Sequence, residues 1–374
     1  MIALSIYTYT DIIHFAPFIK EYPDKIHVFV IRKYFGQKRG NTKKLIYFSD
    51  QEFNYIRNYF VNVLGSKLYK EFDNFQECKK FCKQNGCQHF MNSGRDFEQG
   101  TISKHHHLFS RVNEGISANL SNNFIKKGIF TPKNMKIYSY GPGWYIKELQ
   151  NMFPSSFLSY YNSVSYVQEK YFSKSKSIFQ HPLYDPNKFT ILIPIRHIYI
   201  DFEKYKKMSI DLLSDLSKYK NKYNIIVRTR PGVTFSQRDP YDQFYGHVYK
   251  KCKQYQFIID DVMFAWPTRQ TTMVNLSDIV ISPTICGLIN ESYNTNKPFV
   301  TVYPAKYHKW PNNTKFLSYE HAVNNDLLFD YNNINLNKLE DIKFSNQQQA
   351  MLQIWKSLYF KSVPLNEIMK KILN

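Results

Sequence analysis

One stretch constrains this chain more than any other: Leu276-Ser-Asp-Ile-Val-Ile-Ser-Pro-Thr-Ile-Cys-Gly-Leu-Ile-Asn-Glu-Ser-Tyr-Asn-Thr-Asn-Lys-Pro-Phe-Val-Thr-Val-Tyr-Pro304. Ile279 to Ile281 is a short apolar run, the pattern of a strand buried on both faces. Ser282, Pro283 and Thr284 interrupt it, and Ser and Thr are helix N-cap types. Ile285, Leu288 and Ile289 then recur at helical spacing, and Phe299 to Val302 is apolar and β-rich again. The spacing predicts a strand, a tight turn, a helix and a second strand. Such a turn leaves backbone N–H groups and hydroxyls at a helix N-terminus, which carries about half a positive charge and suits a phosphate. Glu291 is expected about two turns into that helix, where a carboxylate can accept from ribose hydroxyls. Most units of this kind bind nothing at their turn, and no Rossmann glycine fingerprint is present, so the case for a ligand depends on the rest of the chain.

The rest of the chain repeats the same rhythm. Strands are expected at Ile2 to Tyr9, Ile26 to Ile31, Leu45 to Phe48 and Gln88 to Met91, with helices between Asp50 and Val63 and from about Asn74 to Lys83. Asp50 is a plausible N-cap, and Asn85-Gly86 a C-cap pair. A strand at Ile137 to Tyr140 and helices at Trp144 to Met152 and Ser163 to Tyr171 complete a first α/β domain over residues 1–180. Two prolines in Gln180-His-Pro-Leu-Tyr-Asp-Pro186 mark the boundary. Strands at Phe189, Tyr223, Gln256, Ile279 and Phe299 then alternate with helix-sized segments such as Asp201 to Lys218, giving a second domain over 187–344. Residues 345–374 read as two helices split by Pro364 that pack back on the first domain. The expected fold is α/β, with two Rossmann-like doubly wound domains facing each other across a cleft.

The formal charge of +20 favours anionic partners. Nucleotides, phosphorylated glycans, anionic membranes and nucleic acid all qualify, and an AT-rich gene inflates lysine by itself. Five cysteines are present. Cys78 and Cys82 share the apolar face of a helix with Phe75 and Phe81, and no second Cys/His pair stands at finger spacing after Cys87 and His89, so buried thiols are expected and no metal. An odd count and the lack of a basic leader or cleavage site at the apolar N-terminus point to a reducing, cytoplasmic compartment. No run reaches the ~18 apolar residues of a membrane span.

Ligands of open α/β sheets sit at strand C-terminal ends. In the second domain those ends carry Arg196 and His197, Arg228 and Arg230, Asp260 and Asp261, and Ser282 to Thr284. Four basic groups there repel one another unless an anion joins them, and arginine's planar fork suits phosphate oxygens. No Walker lysine loop is present, so ATP hydrolysis is not indicated. In the first domain, Asn92 to Leu108 is polar and titratable, with Asp96 and His105 to His107. The three histidines cannot all face one way on a helix, and a solvated, exposed run is the simpler reading. Tyr140-Gly141-Pro142-Gly143 makes a tight turn whose glycines allow a ligand close to the backbone, or simply a turn.

Residues 181–304, with weaker likeness at 135–143, resemble the nucleotide-binding half of GT-B fold transferases that build bacterial surface polymers. The likeness is to the CDP-glycerol glycerophosphotransferase-like and capsule polysaccharide families, including bacterial sialyl- and polysialyltransferases. His181-Pro-Leu-Tyr-Asp185 matches their linker, Ile191 to Arg196 the first strand, and Ser277 to Pro298 the phosphate turn, helix and closing Lys-Pro. Arg230 replaces the histidine of their usual His-Pro pair. That change keeps phosphate binding and removes proton transfer. Tyr140 to Gly143 likewise lacks the base these families place there, leaving His89, Asp96 or one of His105 to His107 to supply it.

The resemblance implies a glycosyltransferase for surface polysaccharide. It uses a nucleotide-sugar donor and a glycan acceptor, without a metal cofactor, at the inner face of an anionic membrane. Arg196, His197, Arg228, Arg230, Ser282 and Thr284 would hold the donor, Glu291 its ribose, and Asp96, His89 or His107 the acceptor's proton. Two alternatives stay open: a glycosyltransferase or binding protein directed to nucleic acid, and a non-catalytic nucleotide- or glycan-binding partner.

Overall fold

The computed structural model describes residues 2–6, 15–16, 18–34, 46–47, 50–92, 105–110, 135–139, 181–195, 201–229, 240–260, 269–304, 317–359 and 365–373. The chain divides into two compact units, Met1–Val167 with Lys361–Asn374, and Gln168–Phe360.

The first unit contains β1 (Ile2–Ile6), β2 (Ile26–Ile31), β3 (Lys33–Tyr34), β4 (Ile46–Tyr47), α1 (Asp50–Asn58), β5 (Tyr69–Phe72), α2 (Phe75–Gln84), β6 (His89–Asn92), β7 (His105–Ser110) and β8 (Met135–Ser139). Six of these strands form one parallel sheet in the order β5-β2-β1-β6-β7-β8. Counted along the chain this is 3-2-1-4-5-6, the dinucleotide-fold order. All five residues of β1 are buried, as expected for a central parallel strand covered on both faces.

Two expectations for this unit fail. Leu45 to Phe48 is not the third strand of the parallel sheet: its described residues, Ile46–Tyr47, pair antiparallel to β3 in a separate two-stranded ribbon. The third parallel strand is β5, whose Tyr-Lys-Glu-Phe sequence buries only Phe72 and so carries no apolar signature. His105 to His107 lie neither on a helix nor in an exposed loop. They open β7, between β6 and β8.

Helix α2 is capped at both ends, the C-terminal one at the expected Asn85-Gly86 pair. Asn74 Oδ1 accepts the Glu77 N–H at 3.1 Å, Glu77 accepts the Asp73 N–H at 3.1 Å, and Gly86 follows the helix at φ +59°. Its inner face places Phe75, Cys78 and Cys82 against Phe29, Phe72, Phe90 and Cys87. All five cysteines are free and buried, as expected. Contact with Cys78 and burial push the Cys82 thiol up, and contact with Cys82 and burial do the same to Cys87, so these sulfurs are packing groups rather than nucleophiles.

The second unit contains β9 (Thr190–Ile195), α3 (Phe202–Ser217), β10 (Asn224–Thr229), α4 (Pro240–Tyr255), β11 (Ile258–Asp260), α5 (Arg269–Leu276), β12 (Ile279–Ser282), α6 (Leu288–Asn294), β13 (Phe299–Thr301), α7 (Leu317–Asn324), β14 (Leu328–Asp330) and α8 (Asn346–Tyr359). Its sheet is also parallel and runs β11-β10-β9-β12-β13-β14, again 3-2-1-4-5-6. Alternate residues of the strands (Ile191, Ile193, Ile195, Ile225, Val227, Ile279 and Ile281) form one core with Tyr205, Leu212, Leu213 and Leu216 of α3 and Phe244, Tyr245, Val248 and Cys252 of α4. Met208 of α3 is only half-buried.

The N-terminal edge of this sheet is braced by polar groups. Asp278 donates its N–H to Thr190 O and accepts the Thr190 N–H on its carboxylate, both at 2.8 Å. Asn224 is bonded to Asp185, Lys188 and Thr190. Lys297, just before β13, donates to Asn275 O at 2.9 Å and to Ser277 O, closing the C-terminal end of α5. A cation there also complements the helix dipole. The Lys297-Pro298 pair is therefore a structural clamp.

The two C-terminal helices divide between the units. Trp355 of α8 is fully buried with its ring 5.2 Å from that of Tyr293. Helix α9 (Leu365–Leu373) falls in the first unit and buries Ile368, Met369 and Ile372.

Two measurements check this account. Lys297→Met leaves helix-end carbonyls without their donor and is expected to cost about 1–3 kcal/mol, read as a lower urea midpoint with ligand binding unchanged. The second concerns Glu71, which receives two bonds of 2.7 Å from Arg57 and one of 3.0 Å from Tyr69. Burial raises its carboxyl, but these donors outweigh burial and hold it below the usual range. Its contribution is thus present above the unfolded carboxylate pKa and lost as pH falls through the lower folded one. The stability deficit of Glu71→Gln, followed by urea titration, is expected to be full at neutral pH and to vanish in acid.

Candidate functional site

The topology of the second unit selects where a ligand can sit. Strand β9 has β10 on one side and β12 on the other, and the chain reaches them by separate crossovers. The C-terminal edge between β9 and β12 is the switch point at which doubly wound sheets bind ligands. The pairing there is short. Strands β9 and β10 stay in register over six pairs, from Thr190–Asn224 to Ile195–Thr229, whereas β9 and β12 pair only at Ile191–Ile279 and Leu192–Val280. Pro194 carries no N–H to extend a ladder.

The sheet turns polar at this rim. Arg228 of β10 stands level with Pro194 and with Asp260, the last residue of β11, while Ser282, the last residue of β12, stands level with Thr301, the last of β13. Arg228 is 4% exposed, Ser282 and Thr301 1% each, Thr284 0% and Glu291 7%. Among the described residues, Arg228 and Glu291 are the charged side chains that are buried. Burying charge costs several kcal/mol unless other groups compensate, and both of these side chains have interaction partners in the fold. The Thr284 hydroxyl, also buried, has no hydrogen-bond partner among the described residues, whereas buried polar atoms ordinarily have one.

The turn differs in detail from the expected one. Helix α6 begins at Leu288, with Gly287 as a cap lacking any side-chain bond, so neither Ser282 nor Thr284 is an N-cap. Ser282 instead turns its hydroxyl onto Cys286 Sγ at 3.8 Å. The helix is seven residues long and Glu291 lies in its first turn, rather than two turns in. The reason is that Thr284 to Cys286 continue as irregular backbone, held by Val302 N–H to Ser282 O at 2.9 Å and Tyr303 N–H to Pro283 O at 3.0 Å. The Ile285, Leu288, Ile289 spacing reflects burial of both turn and helix, not one continuous helix.

Of the residues expected to hold a donor, Arg228 lies in β10, Ser282 ends β12, Thr284 is in the turn that follows and Glu291 is in the first turn of α6. Arg196, His197 and Arg230 lie outside the described residues, as do Asp96, Tyr140, Gly141 and Gly143. His89 does not suit the role of base: it is the first residue of β6, opposite Ile2 and His105, and so sits at the N-terminal edge of its sheet. His107 is the third residue of β7, level with Met91 and Lys136. Thr301, the last residue of β13, is buried level with Ser282 and donates its hydroxyl to Tyr303 O at 2.8 Å.

No protein-family model matches the chain, and a search of curated proteins gives no match. Solved structures do match. The UDP-GlcNAc 2-epimerase of Methanocaldococcus jannaschii, in complex with UDP-GlcNAc and UDP, superposes with a TM-score of 0.55 at 12% identity, covering 100% of this chain and 98% of that one. The UDP-GlcNAc 2-epimerase of Neisseria meningitidis bound to UDP-GlcNAc gives 0.52 at 14% identity, covering 96% and 91%. The glycosyltransferase SnogD of Streptomyces nogalater gives 0.51 at 8% identity, covering 100% and 99%.

Thr284→Val removes a buried hydroxyl that lacks a partner among the described residues. It is expected to raise the stability of the free protein by about 1 kcal/mol, read as a higher denaturation midpoint, while reducing any stabilisation by an anionic ligand. These likenesses and the two sheet orders together show a two-domain α/β fold of the GT-B type.

Proposed function

We propose that the second unit binds the nucleoside diphosphate of an activated sugar and that the protein transfers the sugar to a glycan hydroxyl. The observation that supports this most is the concentration of buried polar groups, Arg228, Thr284 and Glu291, at the switch-point rim. Two fold neighbours hold UDP-GlcNAc, which is consistent with a nucleotide-sugar donor.

In this reading the guanidinium of Arg228 and the hydroxyl of Thr284 donate to phosphate oxygens. Arg196, His197, Arg230 and Ser282 complete the donor set, and Glu291 accepts from ribose hydroxyls. The bond between the anomeric carbon and the phosphate oxygen breaks as the acceptor oxygen attacks. Negative charge then grows on the departing nucleotide, where fixed donors lower the barrier most. Asp96 and His107 are the residues proposed to take the acceptor's proton. The capsule and glycerophosphotransferase-like families supply the finer proposal, a surface-polymer acceptor at an anionic membrane face.

Thermal unfolding with CMP, CDP, UDP, GDP and ADP tests the donor site. The expected result is a shift with one base in preference to the others, reduced in Glu291→Gln and Arg228→Met. A folded sample that none of the five stabilises would sink the proposal. Incubating the matching nucleotide sugar with glycan acceptors then separates the classes of function. Acceptor-dependent nucleotide release supports transfer, and binding without release identifies a non-catalytic partner.

A further inference from the structure

Lys204 is the third residue of α3, in the first turn of a 16-residue helix. Positive charge is disfavoured there by the helix dipole, and the same turn carries the expected negative groups, the Asp201 cap and Glu203. Lys204 engages neither through its ammonium. Asp201 accepts the Lys204 backbone N–H at 2.9 Å, and Glu203 pairs with Lys206 at 2.9 Å. Among the described residues the Lys204 ammonium has no carboxylate partner, and it rests over the Tyr303 ring, 4.7 Å from the centroid. Tyr303 in turn donates its N–H to Pro283 O at 3.0 Å. Next to Pro283 stands Thr284, buried and with its hydroxyl unpartnered among the described residues. Helix α3 leaves the C-terminal end of β9 and Tyr303 follows the C-terminal end of β13, so this contact reaches across the β12 end of the sheet.

We propose that Lys204, Tyr303 and Thr284 form a phosphate subsite at the switch-point rim. The unpaired ammonium, held ready on the tyrosine ring, joins the Thr284 hydroxyl on the outer phosphate of a nucleoside diphosphate. The assignment rests on the donor-site reading for the nucleoside, but not for the phosphate. A cation stored on an aromatic face keeps its charge and gives up little when an anion arrives, because an exposed cation–π contact is weak beside a charge-assisted hydrogen bond.

Inorganic pyrophosphate and the nucleoside diphosphates CDP, UDP, GDP and ADP, titrated calorimetrically, test it. Lys204→Met is expected to weaken pyrophosphate and diphosphate binding by about ten-fold or more. The affinity for the matching free nucleoside and the melting temperature should not change. Lys204→Arg should retain most of the affinity, and Tyr303→Ala, which keeps the charge, should lose less than Lys204→Met. Equal affinities for wild type and Lys204→Met overturn the subsite, as does a wild type that binds neither pyrophosphate nor any diphosphate. If pyrophosphate binds and depends on Lys204 while no nucleotide binds better than it, the subsite stands and the nucleotide-donor reading fails.

Discussion

The second unit depends on one constraint, the burial of β9 at the centre of a parallel sheet. All six residues of that strand are buried. Its side chains cannot face water on either side, so helices must cover both faces, and its two neighbours must be reached by crossovers that diverge. That divergence leaves a gap at the strand ends which no backbone ladder closes. The β9–β12 pairing stops at Leu192 and Val280, and Pro194 cannot prolong it. A crevice at this place follows from the strand order rather than from any special loop.

The two edges of the same sheet use polar groups differently. At the N-terminal edge Thr190, Asn224, Asp278 and Lys297 are bonded to backbone or to one another, and they fix where strands begin. At the C-terminal edge Arg228, Ser282, Thr284, Thr301 and Glu291 are buried; Thr301 donates its hydroxyl to Tyr303 O at 2.8 Å, yet the Thr284 hydroxyl has no partner among the described residues and Ser282 meets a weak sulfur acceptor. A rim built only to hold the fold would resemble the first edge. The contrast between a satisfied edge and an incompletely satisfied one is the physical reason to place an anion at the second.

Much of this was legible in the sequence wherever burial was symmetrical. Strands β1, β2, β9, β10 and β12 announce themselves as apolar runs, and Asn85-Gly86 announces the end of α2, where the structure puts the C-cap. The edge strand β5 was not legible, because a strand with one buried residue has no period to read. The histidine run was not legible as a strand, because three polar residues in a row show no apolar period; it opens β7 between two parallel neighbours. Reading strand ends singled out Arg228, Ser282 and Thr284, and reading the helix after the turn singled out Glu291; the structure describes all four as buried in the second unit. The depth of Glu291 was misjudged because local apolar spacing cannot separate a buried irregular turn from the helix that follows. Lys204 could not be read at all: its significance comes from Tyr303, about a hundred residues away in the chain, and only the packed fold brings them together.

Hydrogen–deuterium exchange with CDP, UDP, GDP and ADP in turn, each at millimolar concentration, tests the central claim that the C-terminal rim of the second sheet is the ligand edge. The account predicts protection by at least one of them in peptides covering 224–229 and 279–291, with 185–190 and 218–223 unchanged. Protection confined to the N-terminal edge or to the strands of the first unit, or no protection with any of the four, would contradict it.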